Sequence, residues 1–272
     1  MKKKNTPADI LLTTDVGRLQ RAKDNDLFLK VNSKILKKNI NKEYRSIDND
    51  WFGFSIRARP IIYSNERVKK SDLSTYEDLA SNKWFKKICM RSSNNVYNQS
   101  FIAWMIINNG QKRTSEWLAS IVNNFARKPY GGDRDQIRSI ASGECDITIA
   151  NTYYLANMLD SKKESDRLAA NKVSIFWPNQ NSTGTHINIS GAGIIKNSKN
   201  VDNAIKFLEF LSTIKAQKIY TKEINEYSIR NDIPPSKTIN NWGDFKKDTS
   251  NINRIGLEIK NSIYLATKNK WR

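Results

Sequence analysis

The stretch WFGFSIRARPIIYS, residues 51–64, reads as one long extended segment in which Phe52, Phe54, Ile56 and Ala58 share a face. Alternation with a period of two marks a strand with one face buried. Pro60 has no amide hydrogen to give a ladder, so the segment bends or lies at an edge there. A strand this long commonly crosses between two lobes. HINISGAGIIK (186–196) is as long and as alternating, and is expected to be the return crossing.

Working outward, ADILLTT (8–14) reads as a buried strand ended by Asp15 and Gly17. VGRLQRAKDNDLF (16–28) fits a short amphipathic helix, and 30–40 a loop or helical turn. Between the crossings, TYEDLASNKW (75–84) carries a helix-capping pattern, and KICMRS (87–92) is expected to be a strand. Residues 95–110 place Phe101, Trp104, Met105 and Asn108 at helical spacing before Gly110, and 113–125 gives a second amphipathic helix. A capped helix then ends at Gly143, the strand DITIA (146–150) follows, and a helix runs to about residue 160. A strand at 172–178, a helix pair at 200–224 and a final helix near 250–269 complete the series. Strands and helices alternate, so the class is α/β. Two crossings imply two lobes with a ligand cleft between them: 1–58 plus 188–250, and 59–187 plus 251–272.

The 272 residues are enough for two modest lobes. No apolar run approaches the ~18 residues of a membrane span. The net charge is +19, yet the lysines are scattered and Asn and Ile are equally abundant. The charge therefore reads as a solvated surface, and no nucleic-acid partner is expected. Cys89 and Cys145 lack zinc or dithiol spacing and read as two buried free thiols, with a single bridge left open. His186 is the only histidine, which excludes a catalytic site built on two histidines. No nucleophile–base pair is visible, so the protein is not read as an enzyme. MKKK is followed by Pro7 and Asp9 rather than an apolar core, so no secretion signal is visible and a cytoplasmic location stays open.

In ANTYYLANML (150–159), two adjacent tyrosines open a helix just after a strand. Neighbouring helical positions point about 100° apart, so one phenol is expected inside and one outside. The alternative is that both hydroxyls converge in front of the helix N-terminus.

The run TPADILLTTDVGRL, then SIRARPIIY, ANTYYLANML, THINISGAGIIKNS and NEYSIRNDIPPS, in this order, resembles the ferric-iron-binding proteins of bacterial ABC transporters (the Fbp/Fut group), which have the type II periplasmic-binding-protein fold. The resemblance covers essentially the whole chain. It implies a two-lobe fold with hinge strands and a periplasmic iron-transport protein, monomeric, that delivers Fe3+ to an ABC permease. It also implies that Tyr153 and Tyr154 bind the metal as phenolates, joined by Tyr97 from SSNNVYNQSF. A hard trivalent cation suits hard oxygen donors. Arg57, in SIRARP where the family commonly has SGRAR, becomes the candidate for an anion or for a contact beside the metal; Ile56 replaces the usual glycine. A synergistic anion or water would complete the shell. Asp15 is expected to cap or hydrogen-bond, His186 to be structural, Tyr130 to be a surface aromatic and Tyr227 a packing residue. Relatives carry a strand, a helix and a second strand ahead of the segment matching TPADILLTTD, so about 40 residues are expected to be missing here. The competing readings are an anion or small organic solute receptor of the same fold, and a basic nucleic-acid-binding protein.

Overall fold

The computed structural model describes residues 6–272. In chain order its elements are β1 (Ile10–Thr14), α1 (Val16–Asp24), α2 (Lys34–Asn39), β2 (Phe52–Ala58), β3 (Ile61–Ser64), α3 (Val96–Asn123), α4 (Asp133–Ser142), β4 (Ile147–Ile149), α5 (Thr152–Leu159), α6 (Glu164–Ala170), β5 (Val173–Phe176), β6 (Thr185–Ile194), α7 (Val201–Leu211), α8 (Ile214–Ile224), α9 (Lys237–Asn240), β7 (Lys247–Asp248), α10 (Ile252–Ile255) and α11 (Ile259–Lys268). The α/β class read from the alternation is borne out. Segment 51–64 is two strands rather than one, parted at Arg59 and Pro60 as the missing amide hydrogen requires.

Two compact units result. The first holds the chain up to Ile56, Asn188–Ser236 and Thr249–Leu257; the second holds Arg57–Ile187, Lys237–Asp248 and Glu258–Arg272. The C-terminal chain is thus interleaved more finely than two blocks divided at residue 250.

In the first unit the strand order is β1-β6-β2. β1 runs antiparallel to β6, with Ile10 opposite Ile194 and Thr14 opposite Ser190. Gly191 lets the backbones close up: a Cβ there would lie 2.5 Å from the Phe52 carbonyl oxygen. Asp15 caps α1, accepting from the Gly17 amide at 2.9 Å and from Asn188 Nδ2 at 2.9 Å. Tyr227 is buried and exchanges backbone hydrogen bonds of 2.8 Å with Ile56.

In the second unit β3 lies between β4 and β5, antiparallel to both. The expected strand at 87–92 does not form; Ile88 makes only isolated bridges, to Phe125 and Ile147. Apolar alternation supplied the pattern there, but no neighbour extends the ladder. Gly110, at φ 78, kinks α3 between the two expected helices. Residues 75–84 wind only into two short 3-10 turns, Glu77–Ala80 and Asn82–Trp84. Helix α6 has no counterpart in the sequence reading; one buried residue, Ala170, is too weak a periodic signal. Along α3 packs α11, and the fully buried Trp271 beyond it donates its indole hydrogen to the Arg91 carbonyl at 3.0 Å.

Cys89 and Cys145 are bridged, which corrects the free-thiol expectation. The Cys89 amide donates to the Ile147 carbonyl at 2.9 Å, so two segments distant in sequence run side by side. Their Cα atoms are 5.8 Å apart, inside the range a disulfide tolerates. The bridge sits in a core with Ile137 and Ile140 of α4 and Leu155 and Met158 of α5. His186 is fully buried, with ring centroids 5.7 Å from Phe101 and 5.6 Å from Trp104. Neither ring nitrogen has a hydrogen-bond partner. Burial first, then the charges of Arg59 and Arg57, hold its pKa well below the usual histidine value.

Two outcomes are expected. Replacing both cysteines with serine frees a loop spanning 56 residues of sequence separation, which should lower stability by about 2–4 kcal/mol. Urea unfolding of the variant, and of the wild type with and without reductant, checks this; equal midpoints would refute it. His186 is neutral when folded but takes a proton near 6.5 when unfolded. Its contribution is therefore fully present above that value and is lost as pH falls toward the depressed folded value. Urea titrations between about pH 7.5 and about pH 5 should show a steeper loss for the wild type than for His186→Phe.

Candidate functional site

All three tyrosines singled out in the sequence occupy the first turn of a helix. The Asn95 side chain caps α3 by accepting from the Tyr97 amide at 2.9 Å, which makes Tyr97 the second helical residue. Asn151 is the N-cap of α5, so Tyr153 and Tyr154 are its second and third residues. These two helix ends meet. The Tyr153 hydroxyl donates to the Tyr97 hydroxyl at 3.3 Å, and the Tyr153 and Tyr154 rings lie 4.2 Å apart, tilted by 35°. One buried phenol and one exposed phenol is not the arrangement found: both are half-buried, and Tyr154 leans on the core of the second unit.

The surroundings are positive. Arg57, fully buried, stands over the Tyr97 ring at 5.1 Å; Arg91 is 5.8 Å from the same ring, and Arg134 is 5.8 Å from that of Tyr154. Burial, then the neighbouring phenols Tyr97 and Tyr154, push the Tyr153 hydroxyl pKa up, while Arg57 opposes them. Burial also raises that of Tyr154. Without a cation these phenols stay protonated at neutral pH. A bound cation reverses that preference, and the amide ends of two helices favour the resulting negative charge. Among the described residues no group of three or more His, Cys, Asp or Glu is placed to hold a metal. The tyrosine cluster is a dense set of hard oxygen donors in a unit that offers no conventional metal cage.

Sequence reasoning missed Arg91 and Arg134. Each lies close to a helix start, Arg91 ahead of α3 and Arg134 in the first turn of α4, and that proximity to a helix end was the signal available. Arg59, given no role in the sequence reading, is buried, with 1% exposure. Asp15, Tyr227 and His186 take the structural places described above. Tyr130 is 53% exposed beneath the Arg127 guanidinium, 3.5 Å from its ring centroid. A cavity of about 550 Å³ lined by Leu73, Trp177, Asn181 and Trp242 also lies in the second unit and includes none of the three tyrosines.

Residues 5–247 match the model of the bacterial extracellular solute-binding protein family. The chain is 41% identical over 268 residues to Iron uptake protein A1 of Synechocystis sp., an alignment covering 98% of this chain and 74% of that protein. Among solved structures, Trichodesmium IdiA (FutA) in complex with iron and citrate superposes with a TM-score of 0.97 at 44% identity, covering 100% of this chain and 86% of that one. The ferric binding protein from Campylobacter jejuni gives a TM-score of 0.96 at 38% identity, with coverages of 100% and 86%. Among the described residues no helix is long and apolar enough to cross a membrane. The resemblance read from the order of the motifs is borne out, and the chain belongs to the family of bacterial extracellular solute-binding proteins.

Proposed function

We propose that this chain binds ferric iron through the phenolates of Tyr97, Tyr153 and Tyr154 and hands it to an ABC permease on the outer side of the cytoplasmic membrane. The observation that carries the reading is the contact between the Tyr97 and Tyr153 hydroxyls at the ends of two helices, with Tyr154 beside them. Three phenolates carry three negative charges, which offsets the charge of Fe3+ and makes its burial tolerable. Hard oxygen donors match a hard cation, where thiolates or thioethers would select softer metals. On binding, each phenol gives up its proton, and the ring of arginines and the helix amides stabilise the anions left behind.

Arg57 serves the site differently. Its planar fork suits a bidentate carbonate or carboxylate, so it would hold a synergistic anion beside the metal, with water as the other candidate for the open positions. The names of the relatives support the cargo: one is an iron uptake protein and another is a ferric binding protein. The disulfide suits an oxidising compartment outside the cytoplasm. The protein works as a monomer in this reading.

Ferric phenolates absorb visible light, so loading with ferric citrate should colour the purified protein. Tyr153→Phe and Tyr154→Phe should each weaken ferric affinity by more than the roughly 10–100-fold typical of changes outside the ligand set. Circular dichroism should show the fold retained. Competition titration against citrate measures the affinity, and an unchanged band and affinity in both variants would overturn the assignment. A wild-type protein that stays colourless yet binds a carboxylate or other small organic solute would favour the anion receptor instead.

A further inference from the structure

Arg59 lies on the chain between β2 and β3, and its guanidinium reaches the starts of three helices. Nη2 donates to Asn98 Oδ1 at 2.8 Å and to the Ile149 carbonyl at 3.1 Å, while Nη1 donates to Asn151 Oδ1 at 3.2 Å. Asn98 directly follows Tyr97, and Asn151 is the cap of the helix that carries Tyr153 and Tyr154. The nearest carboxylate is that of Asp133, whose side chain is fully buried at the first residue of α4 and lies 3.6 Å from Nη1. Asp133 is doubly engaged: it accepts from Arg91 Nη1 at 3.3 Å and from the Asn151 amide at 3.4 Å. Asn98 closes the ring by donating to the Arg91 carbonyl at 3.0 Å and the Ser92 carbonyl at 3.2 Å.

We infer that Arg59 and Asp133 form a buried clasp that fixes the distance between the two tyrosine-bearing helix ends. Arg59 and Asp133 are positioning residues: the contacts above run to the residues beside the three phenols, not to the phenols themselves. The argument is geometric. A guanidinium presents its donors in a rigid planar fork, so its bonds to Asn98 and Asn151 cannot be satisfied unless α3 and α5 start at set positions. The same fork is buried, where a missing partner is expensive, so the arrangement is held tightly. Asp133 supplies the counter-charge and, through Arg91 and the Asn151 amide, ties the same two ends a second time. Donor oxygens that must surround a single ion within a few tenths of an ångström need such support behind them. The metal part of this inference rests on the ferric reading; the positioning part does not.

The test uses the full chain with Arg59→Lys, which keeps the charge but not the fork, and Asn98→Ala, which removes one arm without leaving a buried charge alone should the lysine variant fail to fold. Each is made in the wild-type and Tyr97→Phe backgrounds. In the iron-free crystal structure the variants should lose the Tyr97–Tyr153 hydroxyl contact. With ferric citrate, each should bind about tenfold more weakly with a shifted visible band, but by about twofold or less when Tyr97 is already phenylalanine, because the two changes act through one contact. Retention of the iron-free contact in both variants, or equal losses of affinity in both backgrounds, would overturn the clasp. A wild-type chain that never takes up ferric ion sinks the ferric reading alone, since the iron-free geometry still decides the clasp.

Discussion

A guanidinium with 1% of its surface exposed is the constraint on which the second unit is organised. Taking such a charge out of water costs several kcal/mol unless carboxylate and carbonyl partners replace the lost hydration. Arg59 finds them in the Asp133 carboxylate, two asparagine side chains and the Ile149 carbonyl. These partners come from the starts of α3, α4 and α5 and from the end of β4. The chain must therefore bring four elements to one point before the charge is satisfied. The three tyrosines ride on two of those elements.

Apolar packing completes what the charge begins. The disulfide between Cys89 and Cys145 lies under α4 and α5 among Ile137, Ile140, Leu155 and Met158, and Tyr154 packs against the same cluster. Close-packed interiors have little slack, so the floor beneath α5 resists displacement of its first turn. Above that floor the phenols are only half-buried and their partners are polar. The site thus combines a stiff base with reactive oxygens at the surface of the unit.

On the ferric reading proposed above, a cation would enter a cluster whose neighbours are arginines. Arg57, Arg91 and Arg134 lie 5.1–5.8 Å from a tyrosine ring, and the Asp133 carboxylate nearby is already shared by Arg59 and Arg91. An ordinary divalent cation site gathers carboxylates. In that reading a strongly charged ion would have to displace the protons of the Tyr153 and Tyr154 hydroxyls, whose pKa values burial raises, so weakly charged ions would gain little. With the phenolates formed, the arginines would be favourable neighbours.

Local chemistry was legible in the sequence. The alternation of strands and helices gave the α/β class, Pro60 marked the break between β2 and β3, Gly143 marked the end of α4, and Asp15 announced a cap. Each depends on a few consecutive residues and on backbone preferences that travel with them. The order of five motifs was enough to place the chain near its relatives and to pick out Tyr97, Tyr153 and Tyr154. Tertiary structure alone decided which groups meet. It paired Cys89 with Cys145 across 56 positions, denied KICMRS a ladder, closed aromatic rings around His186, and gave Arg59 an aspartate 74 positions away. Partners at such separations leave no periodic trace, because only the path of the chain through the core brings them within bonding distance.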